Sequence, residues 1–515
     1  MIPGLAALAA TVPAAPSALI FHAPYLDYHA LAPEIVLSGT ILVVLLVDLL
    51  VDDARKTLVS TVGGLGLLGS MIPIVTLALH HGSHLRPMFG GAYVVDNFAL
   101  VLKGLFLFTG YVVFLISTNY IEEGDYHQGE YTFLLLCSIF GMVVMSSARD
   151  LLTIFVALEM LSVPAYLLAG WRKRDLKSNE AMLKYYLLGV LATGVMLYGM
   201  SLIIGVTGTS VLSQISAAIG TTAHSTPVVS IGIVFILVGF SFKISAVPFH
   251  FWAPDTYEGS PTPVTAFLSV ASKTGGFVAL MELVYAGFFP RHDVWMPLLW
   301  GLAALTMTVG NLVALRQTNI VRMLAYSSIA QAGYILVPFA VAASNATTDH
   351  VRSVQTASIV YLLIYSAMNL GAFAVVIAVA RKTRSGEISS YGGLIDHAPG
   401  LTVVMTVFLF SLAGIPPFGG WFAKFYVFRA VIDASTPAAT VLGVIVAVNS
   451  VIALFYYAGV ARQMWFSDVP DEDRSPIRVP PPLAAALGLT AAMTVAIGIY
   501  PNLFARMGDV SSLVH

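Results

Sequence analysis

Long apolar stretches and short polar connections alternate along almost the whole chain. Fourteen stretches reach the roughly 20 residues that a helix needs to cross a bilayer. Backbone in lipid must satisfy its own hydrogen bonds, so helices are predicted rather than an open sheet. The pattern therefore predicts an all-α, polytopic membrane protein. The predicted segments are 33–51, 58–79, 95–117, 130–147, 150–170, 179–206, 227–249, 262–286, 295–315, 319–342, 356–380, 401–429, 437–462 and 482–504.

Two apolar stretches are interrupted in a similar way. Residues 243–252 read Lys-Ile-Ser-Ala-Val-Pro-Phe-His-Phe-Trp, and residues 416–424 read Pro-Pro-Phe-Gly-Gly-Trp-Phe-Ala-Lys. Both join Pro-Phe-x-x-Trp to a lysine, and proline removes a helical donor and clashes with the preceding turn. Corresponding breaks in two halves are typical of transporters built from repeats. Two ordinary proline kinks are the alternative.

Composition supports the membrane prediction and adds an orientation. The 515 residues are 58% hydrophobic and 10% charged, with a mean hydropathy of +0.85. Most lysines and arginines fall in loops on one predicted side, which is typical of the cytoplasmic side and places both termini on the outer face. The single cysteine, Cys137, cannot supply the thiolates of an iron–sulfur cluster. Any redox cofactor would therefore belong to a partner.

Charged side chains inside the apolar stretches are the strongest functional signal. Each is costly in lipid, and such residues usually mark an ion or proton path. A structural ion pair is the alternative for Glu159, and snorkelling to the membrane surface is the alternative for Lys184 and Lys243. The intramembrane candidates are Glu159, Lys184, Lys243, Lys273 and Lys424.

Glu159 and Lys243 are predicted to act together. Burial disfavours a charged lysine and a nearby carboxylate favours it, so a change in their separation could switch Lys243 between holding and releasing a proton. Lys273 is flanked by hydroxyl side chains that suit a hydrated path, and Lys424 follows the Gly-Gly break. His250, next to the first break, is a candidate relay because histidine titrates nearest neutrality. A loop-ordering role is its alternative.

Other signals are weaker. Lys103 and Glu282 are minor intramembrane candidates. Residues 64–69 match GxGxxG, but they lie inside an apolar segment without a preceding strand, so close helix packing is the better explanation. A metal site is the less favoured interpretation of three histidines in one short loop, because no fourth ligand is evident. These are His80, His81 and His84.

Several ordered motifs carry a resemblance to a known family. Over residues 30–505 the chain resembles the antiporter-like membrane subunits of respiratory NADH–quinone oxidoreductase (complex I), and most closely the N subunit. The motifs include Leu-Glu-Met-Leu-Ser at 158–162, Val-Pro-Phe-His-Phe-Trp-Ala-Pro-Asp-Thr-Tyr-Glu-Gly at 247–259, Arg-Met-Leu-Ala-Tyr-Ser-Ser-Ile-Ala at 322–330 and Ala-Gly-Ile-Pro-Pro-Phe-Gly-Gly at 413–420.

Three details favour the N subunit within this family. The chain stops soon after its last predicted helix, whereas the L subunit resembles this core with a long lateral helix added. Lys424 stands where the M subunit typically has a glutamate, and the Ser-Tyr-Gly-Gly-Leu run at 390–394 resembles N. One departure is Gln331, where many relatives place a histidine. This departure weighs against a histidine relay at that position but leaves the lysine path intact.

The resemblance implies an architecture and residue roles. It implies two inverted five-helix repeats, helices 4–8 and 9–13, with helices 7 and 12 discontinuous. The implied divisions are 1–129, 130–290, 291–465 and 466–515. Glu159 and Lys243 resemble the coupling pair, and Lys184 resembles an auxiliary partner of Glu159. Lys273 resembles the central relay and Lys424 the terminal lysine.

The implied function is proton translocation within a bacterial NADH–quinone oxidoreductase of the inner (plasma) membrane. FMN and iron–sulfur clusters are expected in partner subunits, with no cofactor, metal or redox centre in this chain. The expected partners are an M-like subunit, small K-, J- and A-like subunits and the lipid bilayer, with quinone at a distant site and no nucleic acid. The alternatives are a subunit of a multisubunit Na⁺/H⁺ antiporter or of a membrane-bound hydrogenase-type complex, and a scaffold whose charges only join helices.

Overall fold

A computed structural model describes residues 25–52, 57–80, 85–124, 128–221, 226–344, 347–470, 473–508 and 513. The helices are α1 Ala32–Leu50, α2 Thr57–His80, α3 Asn97–Glu123, α4 Gln128–Met145, α5 Leu151–Ala169, α6 Leu176–Thr207, α7 Leu212–Ile219, α8 Pro227–Lys243, α9 Trp252–Gly259, α10 Thr262–Phe267, α11 Lys273–Met281, α12 His292–Ala314, α13 Ile320–Val341, α14 Thr348–Thr383, α15 Leu394–His397, α16 Pro399–Ala413, α17 Gly419–Ala434, α18 Pro437–Phe466, α19 Pro481–Ile499 and α20 Pro501–Gly508.

Short polar side chains fix where several of these helices begin. Asp96 accepts a hydrogen bond from the Ala99 amide at the start of α3, and Asp150 accepts from the Leu152 and Thr153 amides at the start of α5. Asn319 caps α13 in the same way. Such caps satisfy amides that have no partner inside the helix. They therefore set the boundary between polar loop and apolar helix.

The core is built around α14 and the segment Thr262–Gly287, which contains α10 and α11. The most apolar windows of both are entirely buried, and α14 packs against α3, α13, α16, α17 and α19. By length and composition, 12 helical segments of the described chain can cross a membrane, and α8 and α16 are shorter apolar helices. This confirms the predicted all-α, multi-pass fold. The count of fourteen, the inverted repeats and their divisions stay predictions.

Both predicted interruptions are present. The first separates α8, which ends at Lys243, from α9, which begins at Trp252. The second separates α16, which ends at Ala413, from α17, which begins at Gly419. The peptide bonds Val247-Pro248 and Pro416-Pro417 in these breaks are cis. The predicted segment 227–249 is thus shorter as a helix than its hydropathy indicates.

The structure also contains elements that the hydropathy pattern does not predict. Strands β1 Arg86–Met88 and β2 Tyr93–Val95 form an antiparallel hairpin. Two π-helical segments, Leu268–Ser272 and Glu282–Gly287, flank α11. The predicted last segment, 482–504, divides into α19 and α20. Hydropathy averages over about 20 residues, so it does not register elements as short as these.

Candidate functional site

Three of the predicted lysines are buried inside the bundle. The exposed fractions of Lys243, Lys273 and Lys424 are 4%, 2% and 4%. None of them forms an ion pair with any residue that the structure describes. Charging a buried lysine without a counter-ion costs free energy. The three buried lysines therefore lower the stability of the fold, and residues that do so are usually retained for function.

Lys243 is the last residue of α8 and lies against α5 and α6. Its ammonium donates to the Ser162 hydroxyl at 2.8 Å and to the Tyr185 hydroxyl at 3.4 Å. The Tyr185 ring stacks on Trp252 with ring centroids 4.4 Å apart, and the Trp252 indole donates to the Phe242 carbonyl across the break. The aromatic stack therefore ties both sides of the break to the lysine.

Glu159 lies on α5, one turn before Ser162. It is half-buried, and it accepts a hydrogen bond from the Thr193 hydroxyl of α6 at 3.1 Å. The structure does not bring Glu159 and Lys243 into direct contact: Lys243 reaches α5 through Ser162 instead. The predicted pair is thus on neighbouring turns of one interface, with a hydroxyl beside the lysine rather than the carboxylate.

Lys184 lies elsewhere. Its ammonium is 2.7 Å from Asp255 and 2.7 Å from Glu180, and its side chain is 41% exposed. Asp255 also pairs with Arg322 of α13 at 3.0 Å, and Arg322 pairs with Glu258 at 2.8 Å. The structure therefore places Lys184 in an exposed ion network that joins α6, α9 and α13, and not beside Glu159. The sequence analysis missed this network; two carboxylates three residues apart, Asp255 and Glu258 on α9, are the signal that could have indicated it.

Lys273 is the first residue of α11, directly after a π-helical segment. Its ammonium donates to both the carbonyl and the hydroxyl oxygen of Ser328 on α13, each at 2.8 Å. Nearby, the Tyr365 hydroxyl and the Asn369 amide of α14 donate to Ser269. Single-turn π-helical segments frequently occur at functional sites. Lys273 therefore lies in a polar region between three buried helices.

Lys424 lies on α17, just beyond the second break. Its ammonium donates to the carbonyl of Ala413, the last residue of α16, at 2.7 Å. The same ammonium lies 4.8 Å from the centroid of the Tyr334 ring. Gly414 takes a φ of +89°, and a Cβ there would come within 2.7 Å of the Lys424 side chain. Only glycine therefore suits this position, where the broken helix lets a carbonyl face the lysine.

Gln331 lies between the Lys273 and Lys424 regions. Its amide accepts from the Tyr361 hydroxyl at 2.5 Å and donates to the Leu412 carbonyl at 3.1 Å and the Tyr457 hydroxyl at 3.3 Å. Tyr457 also shares a hydrogen bond with Ser327, the neighbour of Ser328. The amide thus completes a buried polar bridge from α13 to the end of α16. The sequence analysis identified Gln331 only as a departure from the family pattern and did not predict these hydrogen bonds.

His250 lies in the first break, buried against Phe251. The exposed fraction of His250 is 7%, and its Nδ1 has no hydrogen-bond partner among the described residues. This leaves the imidazole able to accept or donate there. The relay role of His250 stays a prediction.

The other sequence signals resolve more simply. Gly66 of the GxGxxG match lies within α2, where a Cβ would overlap the Thr40 side chain of α1, so close helix packing accounts for it. Of the three histidines considered as metal ligands, His81 and His84 lie outside the described residues. Within the described ranges, no group of three or more His, Cys, Asp or Glu side chains could hold a metal ion.

Similarity to known proteins decides the family. Residues 148–450 match the family described as NADH:quinone oxidoreductase/Mrp antiporter, TM. The chain is 40% identical over 486 residues to NADH-quinone oxidoreductase subunit N of Trichlorobacter lovleyi, covering 94% of this chain and 96% of that protein. The chain belongs to the subunit N family of NADH-quinone oxidoreductases. This confirms the resemblance that the motifs indicated.

Other relatives agree in length and fold. NAD(P)H-quinone oxidoreductase subunit 2 of a Picosynechococcus strain is 40% identical over 498 residues, covering 94% of this chain and 91% of that protein. A chain of respiratory complex I from Thermus thermophilus superposes with a TM-score of 0.76 at 29% identity, over 93% of this chain and 100% of that chain. A chain of the Mrp complex from Dietzia has a TM-score of 0.80 at 20% identity, over 94% and 97% of the two chains, which shows the fold alone.

Proposed function

We propose that this chain carries protons across a bacterial inner membrane, as the N subunit of an NADH–quinone oxidoreductase. The observation that carries the proposal is a set of three buried lysines, two of them at helix breaks, for which the described part of the chain offers no ion partner. Each donates to neutral hydroxyl or carbonyl oxygens. A proton on such a lysine is held weakly by its surroundings and can be passed on.

Glu159 and Lys243 are proposed to control proton uptake. Lys243 contacts Ser162, one turn from Glu159 on the same helix. Any movement of α5 against α8 would change the Glu159–Lys243 separation, and with it the free energy of charging the lysine. Because the two groups are close without touching, such a movement can bind or release a proton at Lys243. His250, in the break after Lys243, is a candidate second relay.

Transfer from Lys243 to Lys424 follows the polar side chains between them. Lys273 donates a hydrogen bond to Ser328 on α13. From the neighbouring Ser327, hydrogen bonds run through Tyr457 and Gln331 to the Leu412 carbonyl. The next residue, Ala413, accepts from Lys424. Gln331 cannot titrate, so we assign it the role of holding the hydroxyl groups in place, with Lys273 and Lys424 carrying the protons.

The redox chemistry is proposed to belong to partners. FMN and iron–sulfur clusters in other subunits would oxidise NADH and reduce quinone, and an M-like subunit and small K-, J- and A-like subunits would adjoin this chain. The distribution of lysine and arginine in the loops supports an orientation with both termini outside. The subunit of an Na⁺/H⁺ antiporter stays the alternative, but identity to subunit N is 40% against 20% for the Mrp chain.

The test is the Lys243→Ala variant of the purified parent complex, reconstituted in sealed vesicles. We expect the complex to assemble, and NADH–quinone turnover and proton pumping to fall together by roughly 10²-fold, the lower end of what a positioned proton-transfer group contributes. Lys173→Ala, which removes an exposed lysine next to Trp171, is the matched control and should behave like the wild type. Wild-type turnover and pumping in Lys243→Ala would refute the proposal.

A further inference from the structure

A second group of buried charges lies away from the lysine path, at the end of the bundle where α1, α3 and α5 begin. In its first part, the Lys103 ammonium is 2.6 Å from Glu34 Oε1, and the two side chains are 0% and 9% exposed. The Tyr93 hydroxyl donates to the same Glu34 oxygen at 2.6 Å. One cation therefore faces one carboxylate here, and the charge is balanced.

The second part, counted over the described residues, has one cation and two carboxylates. The Arg149 guanidinium is 3.0 Å from Asp96 Oδ2 through Nη2 and 2.5 Å from Glu282 Oε1 through Nη1. Asp96 also accepts from the Ala99 amide at 2.7 Å, at the N-terminus of α3. A helix N-terminus favours an anion. Asp96 is therefore the natural charged partner of Arg149, and Glu282 is the surplus carboxyl group.

Among the described residues, Arg149 is the one cation that pairs with Glu282. Tyr93, whose hydroxyl lies 2.6 Å from Glu34 and 3.4 Å from the Lys103 ammonium, faces Glu282 as a neutral phenol. Glu282 begins the π-helical segment Glu282–Gly287, and the neighbouring helix α7 carries no ionisable side chain. Tyr285, in the same segment, is neutral as a phenol. The nearby Asp150 carboxylate adds no positive charge, and it accepts from the first amides of α5 and from Ser210. As a carboxylate, Glu282 would therefore leave a net negative charge in the protein interior.

The second oxygen of Glu282 indicates that a proton neutralises this charge. Glu282 is 0% exposed, and its Oε2 has no hydrogen-bond partner among the described residues. An ionised carboxylate in such a place carries a large desolvation cost. A metal ion would have to approach next to the Arg149 guanidinium. A proton on Oε2 meets the need without that repulsion.

We propose that Glu282 is a protonation site, separate from the lysine path, which carries one exchangeable proton while Arg149 stays paired with Asp96. The proton binds Glu282 as a carboxylic acid and leaves to water at the end of the bundle where α3 and α5 begin. Protonation of Glu282 is independent of the transport role proposed for Lys243, Lys273 and Lys424.

Infrared spectroscopy of the purified parent complex tests this directly, because a carboxylic acid has a C=O stretch that a carboxylate lacks. We expect the wild-type spectrum minus the Glu282→Gln spectrum to contain one such band, and we expect the band to shift in D₂O. A difference spectrum without this band would overturn the proposal, whatever the variant does to pumping.

Matched variants separate this result from its alternatives. Glu122→Gln changes an exposed carboxylate and should remove no carboxylic acid band. Glu34→Gln should also remove none, and a band lost there instead of at Glu282 would refute the assignment. If Glu282→Gln fails to assemble, Glu282→Asp keeps the test open, because a shorter acid should move the band and an unmoved spectrum would count against the proposal. Lys243→Ala should leave the band in place even if pumping is lost.

Discussion

Two sets of buried charges in this chain are organised in opposite ways. Along the lysine path, the hydrogen-bond acceptors of Lys243, Lys273 and Lys424 among the described residues are hydroxyl and carbonyl oxygens. At the end of the bundle where α3 begins, Lys103 and Arg149 each contact a carboxylate. Both sets are equally buried, so burial alone does not separate them. The difference lies in whether a counter-ion stands beside the cation.

The comparison separates a role in structure from a role in proton transfer. A buried cation with a hydrogen-bonded counter-ion joins helices, and breaking the pair leaves an uncompensated charge. A buried lysine without a counter-ion can lose its proton and stay in place as a neutral amine. The paired cations should therefore matter most for assembly, and the unpaired lysines most for transport.

The largest expected effect comes from replacing one cation of each set with methionine. Arg149→Met removes the buried guanidinium that Asp96 and Glu282 both contact, which should cost about 3–5 kcal/mol and prevent normal assembly. Lys273→Met removes a cation whose hydrogen bonds go to Ser328 and which has no ion partner in the described ranges, so the complex should assemble and lose pumping. Quantifying the subunit in purified membranes and pumping per assembled complex checks both variants. Equal assembly of the two would contradict the division.

The pair Lys103 and Glu34 allows a double-mutant cycle within the paired set. Lys103→Met alone should lower the thermal stability of the complex, by an amount on the order of 3 kcal/mol, because Glu34 stays buried without its cation. Adding Glu34→Gln should recover most of the loss. Thermal unfolding of all four forms measures the coupling. Additive losses would show that the two side chains act independently.

Gln331 tests the polar bridge between Lys273 and Lys424. Gln331→Leu removes its hydrogen bonds to Tyr361, Tyr457 and Leu412, and each buried polar group left unpaired costs about 1–3 kcal/mol. We expect slower pumping with assembly retained. Gln331→Glu is the comparison, since it keeps the acceptor and adds a titrating group. Wild-type pumping in Gln331→Leu would remove the bridge from the path.

The smallest effect is expected at Lys184. Its side chain is 41% exposed and pairs with Asp255 and Glu180 near the surface. Exposed ion pairs contribute about 0–1 kcal/mol and are screened by salt. Lys184→Gln should therefore reduce pumping far less than Lys243→Ala, and raising the salt concentration should narrow the difference from the wild type. A loss as large as that of Lys243→Ala would place Lys184 on the main path.

Much of the fold was predictable because lipid restricts sequence so strongly. The apolar segments, the two interruptions and the family followed from hydropathy, proline positions and ordered motifs. The hairpin Arg86–Met88 and Tyr93–Val95 and the π-helical segments around α11 did not. Those elements are short, and packing against neighbouring helices stabilises them more than local composition does. The lysines of the site were found because a charge in an apolar stretch is visible without a structure.

The sequence by itself determined which charges lie inside apolar segments, because an ionisable side chain among about 20 apolar residues stands out from them. Lys243, Lys273 and Lys424 are buried as expected, whereas Lys184 is partly exposed. Only the tertiary structure decided which ion-pair or hydrogen-bond partner each charged side chain has. Lys184 meets Asp255 instead of Glu159, Lys243 meets Ser162, and Arg149 reaches Glu282, 133 positions away in the chain. Such partners depend on how helices rotate and cross in the bundle. That arrangement is a property of the packed whole, and no single segment specifies it.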